Sequence, residues 1–373
     1  MRDLRTEEMT LNMGPQHPST HGVLRLKLRT DGEVVTSVEP VLGYLHRCFE
    51  KHAENLEYPG VIPFVDRCDY LASMNNDHGY ALAVEQFLDI EVPERVEYIR
   101  VIFAELQRIA SHLVAFGTFG LDVGAFTPFL YAFREREMIL DLFEMTCGAR
   151  LLYNYIWVGG LSHDIPPGFV EKTYRFLEHF EPKIKEYNDL LTNNKIFIER
   201  TADVGMLPRD VAISYGVTGP QLRASGVDWD LRRDEPYSIY DRFDWKVAVG
   251  VDAYGELGDC WNRYYVKILE MQESAKIVRQ ALDNLPVEGD VHAAIPKKIR
   301  PPEGANYFRS ENPRGELGFY IVSDGGTTPF RVKMRSPALS NLGVIDEIAS
   351  DWLVADVVAI LGSLDIVLGE IDR

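Results

Sequence analysis

Hydrophobic and polar residues alternate near both ends of the chain. Within residues 23–40, Leu24, Leu26 and Leu28 share one face while charged residues occupy the other, and Asp31-Gly32 follows as a turn dipeptide. This period of two, next to a turn signal, predicts a β-hairpin. A second hairpin is predicted where residues 318–322 and 330–335 flank the Asp-Gly-Gly sequence at 324–326.

The middle of the chain follows a different period. Apolar residues recur at helical spacing across residues 98–116, which predicts a long amphipathic helix. The same pattern predicts helices over 128–155, 168–192 and 258–285. Residues 352–368 are the nearest approach to a membrane span, but Asp356 and Asp365 interrupt them, so we expect a buried helix. The fold class is therefore α+β, with a central bundle of long helices and a β-hairpin near each end.

Composition and charge limit the range of partners. The chain has 373 residues, 46% of them hydrophobic, which is enough for a sizeable core. Asp and Glu number 57 against 39 Lys and Arg, and the net charge of −18 disfavours nucleic acid as a partner. We expect one domain over 1–373, with an N-terminal loop and hairpin region (1–60), a helical core (61–300) and a C-terminal hairpin and helix (301–373). The first eight residues lack the apolar segment of a secretory signal, so we expect a cytoplasmic protein.

The cysteines offer no metal-binding or disulfide pattern. Cys48, Cys68, Cys147 and Cys260 are scattered, and no two have C-x-x-C spacing. In a reducing compartment such thiols are most often small buried hydrophobic side chains, and we expect this of all four.

Residues 14–22, GPQHPSTHG, form the most unusual segment. Its prolines and glycines exclude regular structure and predict a shaped loop before the first strand. Such a loop can hold an imidazole at the mouth of a cavity, where His17 or His21 would donate a proton near neutral pH. The alternative is that both histidines bond only to nearby backbone. A zinc site is disfavoured, because no cysteine or acidic partner stands nearby at a ligand spacing.

Longer motifs give this loop a context. GPQHPSTHGVLRL (14–26) resembles the N-terminal signature of the 49-kDa subunit family of respiratory complex I. Further motifs resemble the same family in the same order: GYLHR (43–47), FEK (49–51), DRCDY (66–70), ELQRIASHL (105–113), FRERE (133–137), LRASG (222–226), RGELG (314–318) and VSDGG (322–326). The resemblance covers nearly the whole chain.

This resemblance implies the fold of the nickel-iron hydrogenase large subunit. Hydrogenases hold their metal centre with one C-x-x-C pair near each end, and this chain has neither pair. Cys68 stands alone at the first position, and residues 365–370, DIVLGE, stand at the second. Because that centre requires thiolate ligands, we expect a cavity that binds no metal or iron–sulfur cluster and is open to another electron acceptor.

In the resembled family that acceptor is a quinone headgroup. The matching positions are His21 and Tyr70, which would donate hydrogen bonds and protons to the two quinone oxygens. Asp122 maps to the family's acidic residue behind the histidine, where it would favour the charged imidazole. His17 and Arg47 are expected to shape the loop around the site.

Purely structural roles are the alternatives for these residues. Tyr70 would otherwise be an aromatic at the edge of the core with its hydroxyl in solvent, and Asp122 a helix cap. We expect His112, on a polar stripe of its helix, to be structural.

The resemblance also implies partners. Electrons would come from the terminal cluster of the small iron–sulfur (B-type) subunit. The 30-kDa (C-type) subunit and the membrane-anchor (H-type) subunit would adjoin the chain, peripherally on the cytoplasmic side of the inner membrane. NAD would be used by the complex and not by this chain.

Two features of the resemblance leave the role open. Residues 285–309 look shorter than in many relatives, which leaves the upstream donor open between an NADH module, as in typical bacteria, and a ferredoxin or deazaflavin module, as in chloroplast-type and archaeal complexes. The chain would otherwise be a hydrogenase-related subunit that lacks its metal centre, or a connector with a purely structural role.

Overall fold

The computed structural model describes residues 8–17 and 20–373. Residues 1–7, where the sequence predicts no secretory signal, and Pro18 and Ser19 of the histidine loop lie outside the described residues. The strands of the described part are β1 (Glu8–Met13), β2 (Arg25–Asp31), β3 (Val34–Val41), β4 (Ile156–Trp157), β5 (Gly160–Leu161), β6 (Gly304–Asn312), β7 (Gly315–Ser323) and β8 (Arg331–Arg335).

The α-helices vary from four to 29 residues in length. They are α1 (Phe49–Ala53), α2 (Ile62–Val65), α3 (Ser73–Leu88), α4 (Glu94–Asp122), α5 (Thr127–Cys147), α6 (Phe169–Phe180), α7 (Lys183–Tyr187), α8 (Lys195–Thr201), α9 (Arg209–Ser214), α10 (Pro220–Ala224), α11 (Leu231–Asp234), α12 (Cys260–Asp283), α13 (Pro337–Leu342), α14 (Ile345–Ala349), α15 (Val354–Leu364) and α16 (Leu368–Asp372). The chain also forms short 3-10 turns at Tyr58–Val61 and Tyr240–Arg242 and a π-helical turn at Asn188–Thr192.

The N-terminal hairpin is confirmed. β2 and β3 pair antiparallel, and Leu24, Leu26 and Leu28 are buried as the alternation predicts. The turn is shifted by one residue, because Asp31 still pairs with Val34 and the tight turn lies at residues 32–33. β1, which the sequence pattern did not predict, adds a third strand along β2.

The C-terminal hairpin of β7 and β8 is also confirmed. β6, which the sequence pattern did not predict, pairs with β7 over its whole length. The three-stranded sheet β6-β7-β8 packs on α3, also unpredicted, where Gly79 permits close approach. A Cβ atom at Gly79 would stand 2.6 Å from Ser310 Oγ, so a larger residue would push helix and sheet apart.

The helical core is built around α4. Almost every side chain of α4 is buried, between α5 on one side and α12 on another. The predicted helices over 98–116, 128–155 and 258–285 are found as α4, α5 and α12. α5 stops at Cys147, because Gly148 adopts a left-handed conformation that ends the helix. The predicted buried C-terminal helix is α15, and it ends where Asp365 turns left-handed.

The single helix predicted over 168–192 was wrong. α6 ends at Phe180, α7 begins at Lys183, and a π-helical turn follows. Pro182 explains the break, because it lacks the N–H group that a continuous helix needs at that position and clashes with the preceding turn.

Three of the four cysteines are at least partly buried, as predicted. Cys68 and Cys260 are buried and Cys147 is intermediate, but Cys48 is exposed. The prediction was wrong for Cys48 because this residue precedes α1 in a left-handed turn at the surface.

The main hydrophobic core draws on all three predicted regions, from Met13 to Ile371. The mixed helix-and-sheet class is therefore confirmed; the single-domain division and the kinship with hydrogenases stay predictions. In the part of the chain that the structure describes, no helix combines the length and apolar character needed to cross a membrane.

Candidate functional site

Three described residues of the histidine loop, His17, Thr20 and Gly22, contact one another through their backbone. The carbonyl of His17 accepts hydrogen bonds from the Thr20 amide (3.0 Å) and the Thr20 hydroxyl (2.8 Å), and His17 bridges to Gly22. Gly14 has φ +87, and a Cβ atom there would stand 2.1 Å from the carbonyl oxygen of Leu24. Only glycine fits that conformation and that close approach to Leu24.

His21 and Asp122 are brought together. The imidazole Nε2 of His21 lies 2.8 Å from Asp122 Oδ2, and both side chains are mostly buried, at 15% and 10% exposure. His21 has φ +54, a left-handed conformation uncommon outside glycine, and such backbone conformations gather at functional sites. The geometry expected for the acidic residue behind the histidine is therefore present.

Asp122 is the last residue of α4, so it is not an N-terminal helix cap. A carboxylate at a helix C-terminus faces the negative end of the helix dipole, which makes a cationic partner there more favourable. The approach of α15 is equally tight, because a Cβ atom at Gly362 would stand 2.4 Å from Asp122 Oδ2. The carboxylate is thus held between His21 and Gly362.

Tyr70 lies at the edge of the interior. Its side chain is 36% exposed, and its hydroxyl makes no hydrogen bond to a described residue, His21 and Asp122 included. Burial raises the pKa of Tyr70 and the neighbouring carboxylate of Asp69 adds to the rise, while Arg314 opposes it. The phenol therefore keeps its proton firmly and has its hydroxyl free for an external acceptor.

Sequence reasoning missed the buried charges beside these residues. Arg314 Nη1 lies 2.7 Å from Asp69 Oδ2, and Arg314 Nη2 lies 3.2 Å from Asp365 Oδ1. Lys267 Nζ lies 3.6 Å from Asp365 Oδ2. Glu370 lies within electrostatic range of Asp69 and Arg314. We call Asp69, Lys267, Arg314, Asp365 and Glu370 the Arg314 cluster. The only sign of these buried charges in the sequence was that Arg314 is the first residue of the RGELG motif, to which no role was assigned.

Glu370, on α16, is fully buried. Its Oε2 accepts a 3.3 Å hydrogen bond from the Ala338 amide, while its Oε1 has no partner among the described residues. Burial raises the pKa of Glu370 to about 8, with Asp69 adding to the rise and Arg314 opposing it. This carboxyl group therefore keeps its proton at neutral pH.

The Arg314 cluster borders both predicted quinone ligands. Asp69 directly precedes Tyr70, and Arg314 acts on the pKa of Tyr70. Asp365 lies within electrostatic range of His21: burial opposes the lowering of the Asp365 pKa, and Arg314, Lys267, His112 and, least of the four, His21 cause it. The cluster is thus the element of the fold that both side chains share.

The Cys68 segment and the C-terminal segment meet here. A Cβ atom at Gly369 would stand 2.6 Å from the carbonyl oxygen of Cys68, so the C-terminal segment lies directly against the Cys68 segment. Leu368 in turn lies against Gly22 of the histidine loop. In the part of the chain that the structure describes, no three His, Cys, Asp or Glu side chains are grouped as a metal site.

Arg47 lies on a surface loop tied to the C-terminus. The amides of Gly43 and Leu45 donate to the Asp372 carboxylate, at 2.8 and 2.7 Å, and the Arg47 amide donates to the Arg373 carbonyl. The side chain of Arg47 is exposed. Its predicted effect on the site, like that of His17, stays a prediction.

His112 is fully buried rather than on an outward polar stripe. Its Nε2 lies 2.8 Å from Glu270 Oε2, and Glu270 also binds Arg223 at 2.5 Å. This pair belongs to a larger set of buried charges, which we call the Glu105 network and whose members are Glu105, Arg108, His112, Arg223, Asp230, Arg232, Glu270 and Glu311. Its dense pairing supports the structural role expected for His112.

Comparison with known proteins gives a family. Residues 122–302 and 291–373 match the family described as "Respiratory-chain NADH dehydrogenase, 49 Kd subunit". The chain is 58% identical to the D-type subunit of the NADH-quinone oxidoreductase of Chlorobium luteolum, over all of this chain and 95% of the relative. The proteins of the same name from Prosthecochloris aestuarii and Chlorobaculum tepidum are also 58% identical, over all of this chain and 94% of theirs. The chain therefore belongs to the family of the 49-kDa subunit of the respiratory-chain NADH dehydrogenase, a family of oxidoreductase subunits.

Proposed function

We propose that this chain is the quinone-reducing catalytic subunit of a proton-translocating NADH:quinone oxidoreductase. It takes electrons from the terminal iron–sulfur cluster of a neighbouring subunit and passes them to a quinone. His21 and Tyr70 bind the two headgroup oxygens and supply the protons. Asp122 orients His21 and favours its charged form.

The His21–Asp122 pair is the observation that carries this proposal. A histidine with a carboxylate partner is a ready proton donor near neutral pH, and the imidazole Nε2 of His21 lies 2.8 Å from Asp122 Oδ2. Tyr70 supplies a second donor whose hydroxyl has no partner within the described chain. Both border the Arg314 cluster, which favours their acting on one substrate.

Two donors match what the reaction needs. Reduction of a quinone to a quinol takes two electrons and two protons, one for each oxygen. The Tyr70 hydroxyl hydrogen-bonds one oxygen and His21 the other, and both protons move as negative charge builds on the headgroup. A buried setting strengthens these hydrogen bonds, because water screens them less.

Membership of the family supports the remaining partners that we propose. The small iron–sulfur (B-type) subunit would deliver the electrons, and the 30-kDa (C-type) and membrane-anchor (H-type) subunits would complete the cavity. The assembly would sit peripherally on the cytoplasmic side of the inner membrane. NADH would be oxidised elsewhere in the complex, and quinone reduction would drive proton translocation.

Two substitutions test the proposal in the assembled complex. His21→Ala and Tyr70→Phe are each expected to lower quinone reductase turnover about a hundredfold, at the low end of what a positioned proton donor contributes. Assembly and reduction of the upstream iron–sulfur clusters should remain normal. The matched control is Tyr215→Phe, an exposed tyrosine bonded to Glu347, which should keep full activity.

Wild-type turnover in both site variants would overturn the proposal. A complex that contains nickel bound to this chain would instead favour a hydrogenase-related role. Normal turnover in every variant, with quinone bound by other subunits only, would favour a structural connector.

A further inference from the structure

The Arg314 cluster has more carboxyl groups than cations. Asp69, Asp365 and Glu370 face only Arg314 and Lys267, and all five side chains are buried. The two cations are engaged by Asp69 and Asp365, within 3.6 Å, and within the described chain neither forms an ion pair with Glu370. Because burying an unpaired carboxylate costs free energy, the third carboxyl group is most stable in its protonated form.

Glu370 is the group left without a counter-ion. The charged and titratable groups that face it are Asp69 and Cys68 from the segment before α3, Arg314 from the β6–β7 turn and Arg335 from β8. Glu370 Oε1 is buried and has no hydrogen-bond partner among the described residues. A buried carboxyl oxygen in this state is normally satisfied by water or by a group that accepts its proton.

The position of Glu370 indicates which group receives its proton. Asp69 is the group that Glu370 and Tyr70 both sense, and Asp69 directly precedes Tyr70 in the chain. Arg314 binds Asp69 and neutralises negative charge on either side of it. The leucine before Gly369 packs against the histidine loop, so the helix that carries Glu370 touches both halves of the proposed site.

We propose that Glu370 stores the proton that restores the Tyr70 hydroxyl after each quinone reduction, with Asp69 and Arg314 forming the connection. This inference rests on the proposed function. The step balances: Tyr70 gives its proton to the reduced quinone oxygen, and the tyrosinate takes the proton of the Glu370 carboxyl group. Arg314, although it forms no ion pair with Glu370, attracts the resulting carboxylate electrostatically until water reprotonates it. Glu370 is a positioning residue for the proton and does not contact the quinone.

The decisive comparison is between the first turnover and the steady state of the assembled complex. Glu370→Gln keeps the size and neutrality of the protonated acid but carries no transferable proton. Because Tyr70 starts with its own proton, the first reduction of a short-chain quinone should proceed at the wild-type rate. Continuous turnover should then fall about tenfold, since recharging must come from water. The part of the pH profile that changes near pH 8 should also disappear.

A second variant and a spectroscopic measurement distinguish the loss of the acid from misfolding of the variant. Glu370→Asp retains an acid and should recover part of the steady-state rate. In the wild-type complex, the infrared band of a protonated carboxyl group should be lost as the pH rises through about 8. Glu135→Gln, which alters a buried glutamate on α5 outside the cluster, is the control and should leave the ratio of first-turnover to steady-state rates unchanged.

The inference is overturned if Glu370→Gln has the steady-state rate and pH profile of the wild type, or if no carboxyl band titrates near pH 8. Failure of the proposed function has a different signature, namely a normal first turnover in Tyr70→Phe. The two failures are therefore distinguishable in the same set of experiments.

Discussion

The Glu105 network and the Arg314 cluster are both buried, and they differ in how their charges are satisfied. The Glu105 network has four carboxylates and three arginines, and His112 bonds the carboxylate of Glu270. The Arg314 cluster has three carboxyl groups and two cations. The atoms without hydrogen bonds differ as well: Arg108 Nη1 and His112 Nδ1 are nitrogens, whereas Asp365 Oδ2 and Glu370 Oε1 are carboxyl oxygens.

This difference distinguishes charges that only stabilise the fold from a carboxyl group that can exchange its proton. Burial opposes ionisation of Glu270, but Arg223 and the bond from His112 outweigh it and lower its pKa well below the usual range. Glu270 therefore stays ionised at any pH the cell uses. Glu370 lacks such partners, and burial raises its pKa to about 8. Only the second cluster borders His21 and Tyr70, so the capacity to exchange protons lies where the proposed reaction needs it.

Breaking the Glu105 network should have the largest effect on stability. Arg223→Leu is expected to lower the free energy of unfolding by about 3–5 kcal/mol, because it leaves Glu270 and Glu311 buried without their guanidinium partner. Urea unfolding of the purified chain measures this. Arg175→Leu removes an exposed pair with Glu171 and should cost less than about 1 kcal/mol. Equal losses in the two variants would contradict the structural role assigned to the network.

Removing the carboxylate behind His21 should have an intermediate effect. Asp122→Asn is expected to lower turnover by up to about tenfold and to change how turnover depends on pH, because the imidazole of His21 loses its carboxylate partner. Turnover of the assembled complex measured across the pH range tests this. Asp141→Asn, an exposed aspartate on α5, is the matched control. A pH profile identical to the wild type would show that Asp122 does not act through His21.

A further effect should appear in the pH dependence of stability. The pKa of Glu370 is raised from 4.5 to about 8 by folding, so the folded chain holds a proton that the unfolded chain has released. The free energy of unfolding should therefore decrease as the pH rises from about 4.5 to about 8. Glu370→Gln should remove this part of the slope. Glu39→Gln, on an exposed residue, should leave it in place, and an unchanged slope in Glu370→Gln would argue against the buried acid.

Much of the fold was accessible from periodicity alone. The leucine alternation at 24–28 predicted β2, and helical spacing predicted α4, α5 and α12. α3 was missed because its buried side carries Asn75, Asn76 and Asp77, polar residues that hide an amphipathic pattern. The two asparagines bond to backbone groups of other elements, which no local pattern reveals.

The site was predictable only in part, for a related reason. His21, Tyr70 and Asp122 were located through family motifs, and the structure supplies the His21–Asp122 bond across 101 positions. The contact of Arg314 with Asp69 spans 245 positions, and that with Asp365 spans 51. An arginine at a strand turn ordinarily suggests a solvated surface. Its burial becomes visible only when β6 and β7 place the turn between α4 and the C-terminal segment.

The most direct test of the central claim is where a quinone binds in the assembled complex. A photoreactive quinone analogue should label this chain within the histidine loop and the segment around Tyr70, and an excess of natural quinone should prevent the labelling. Peptide mapping by mass spectrometry identifies the labelled residues. Labelling confined to other subunits, or to parts of this chain remote from both segments, would contradict a quinone site built on His21 and Tyr70.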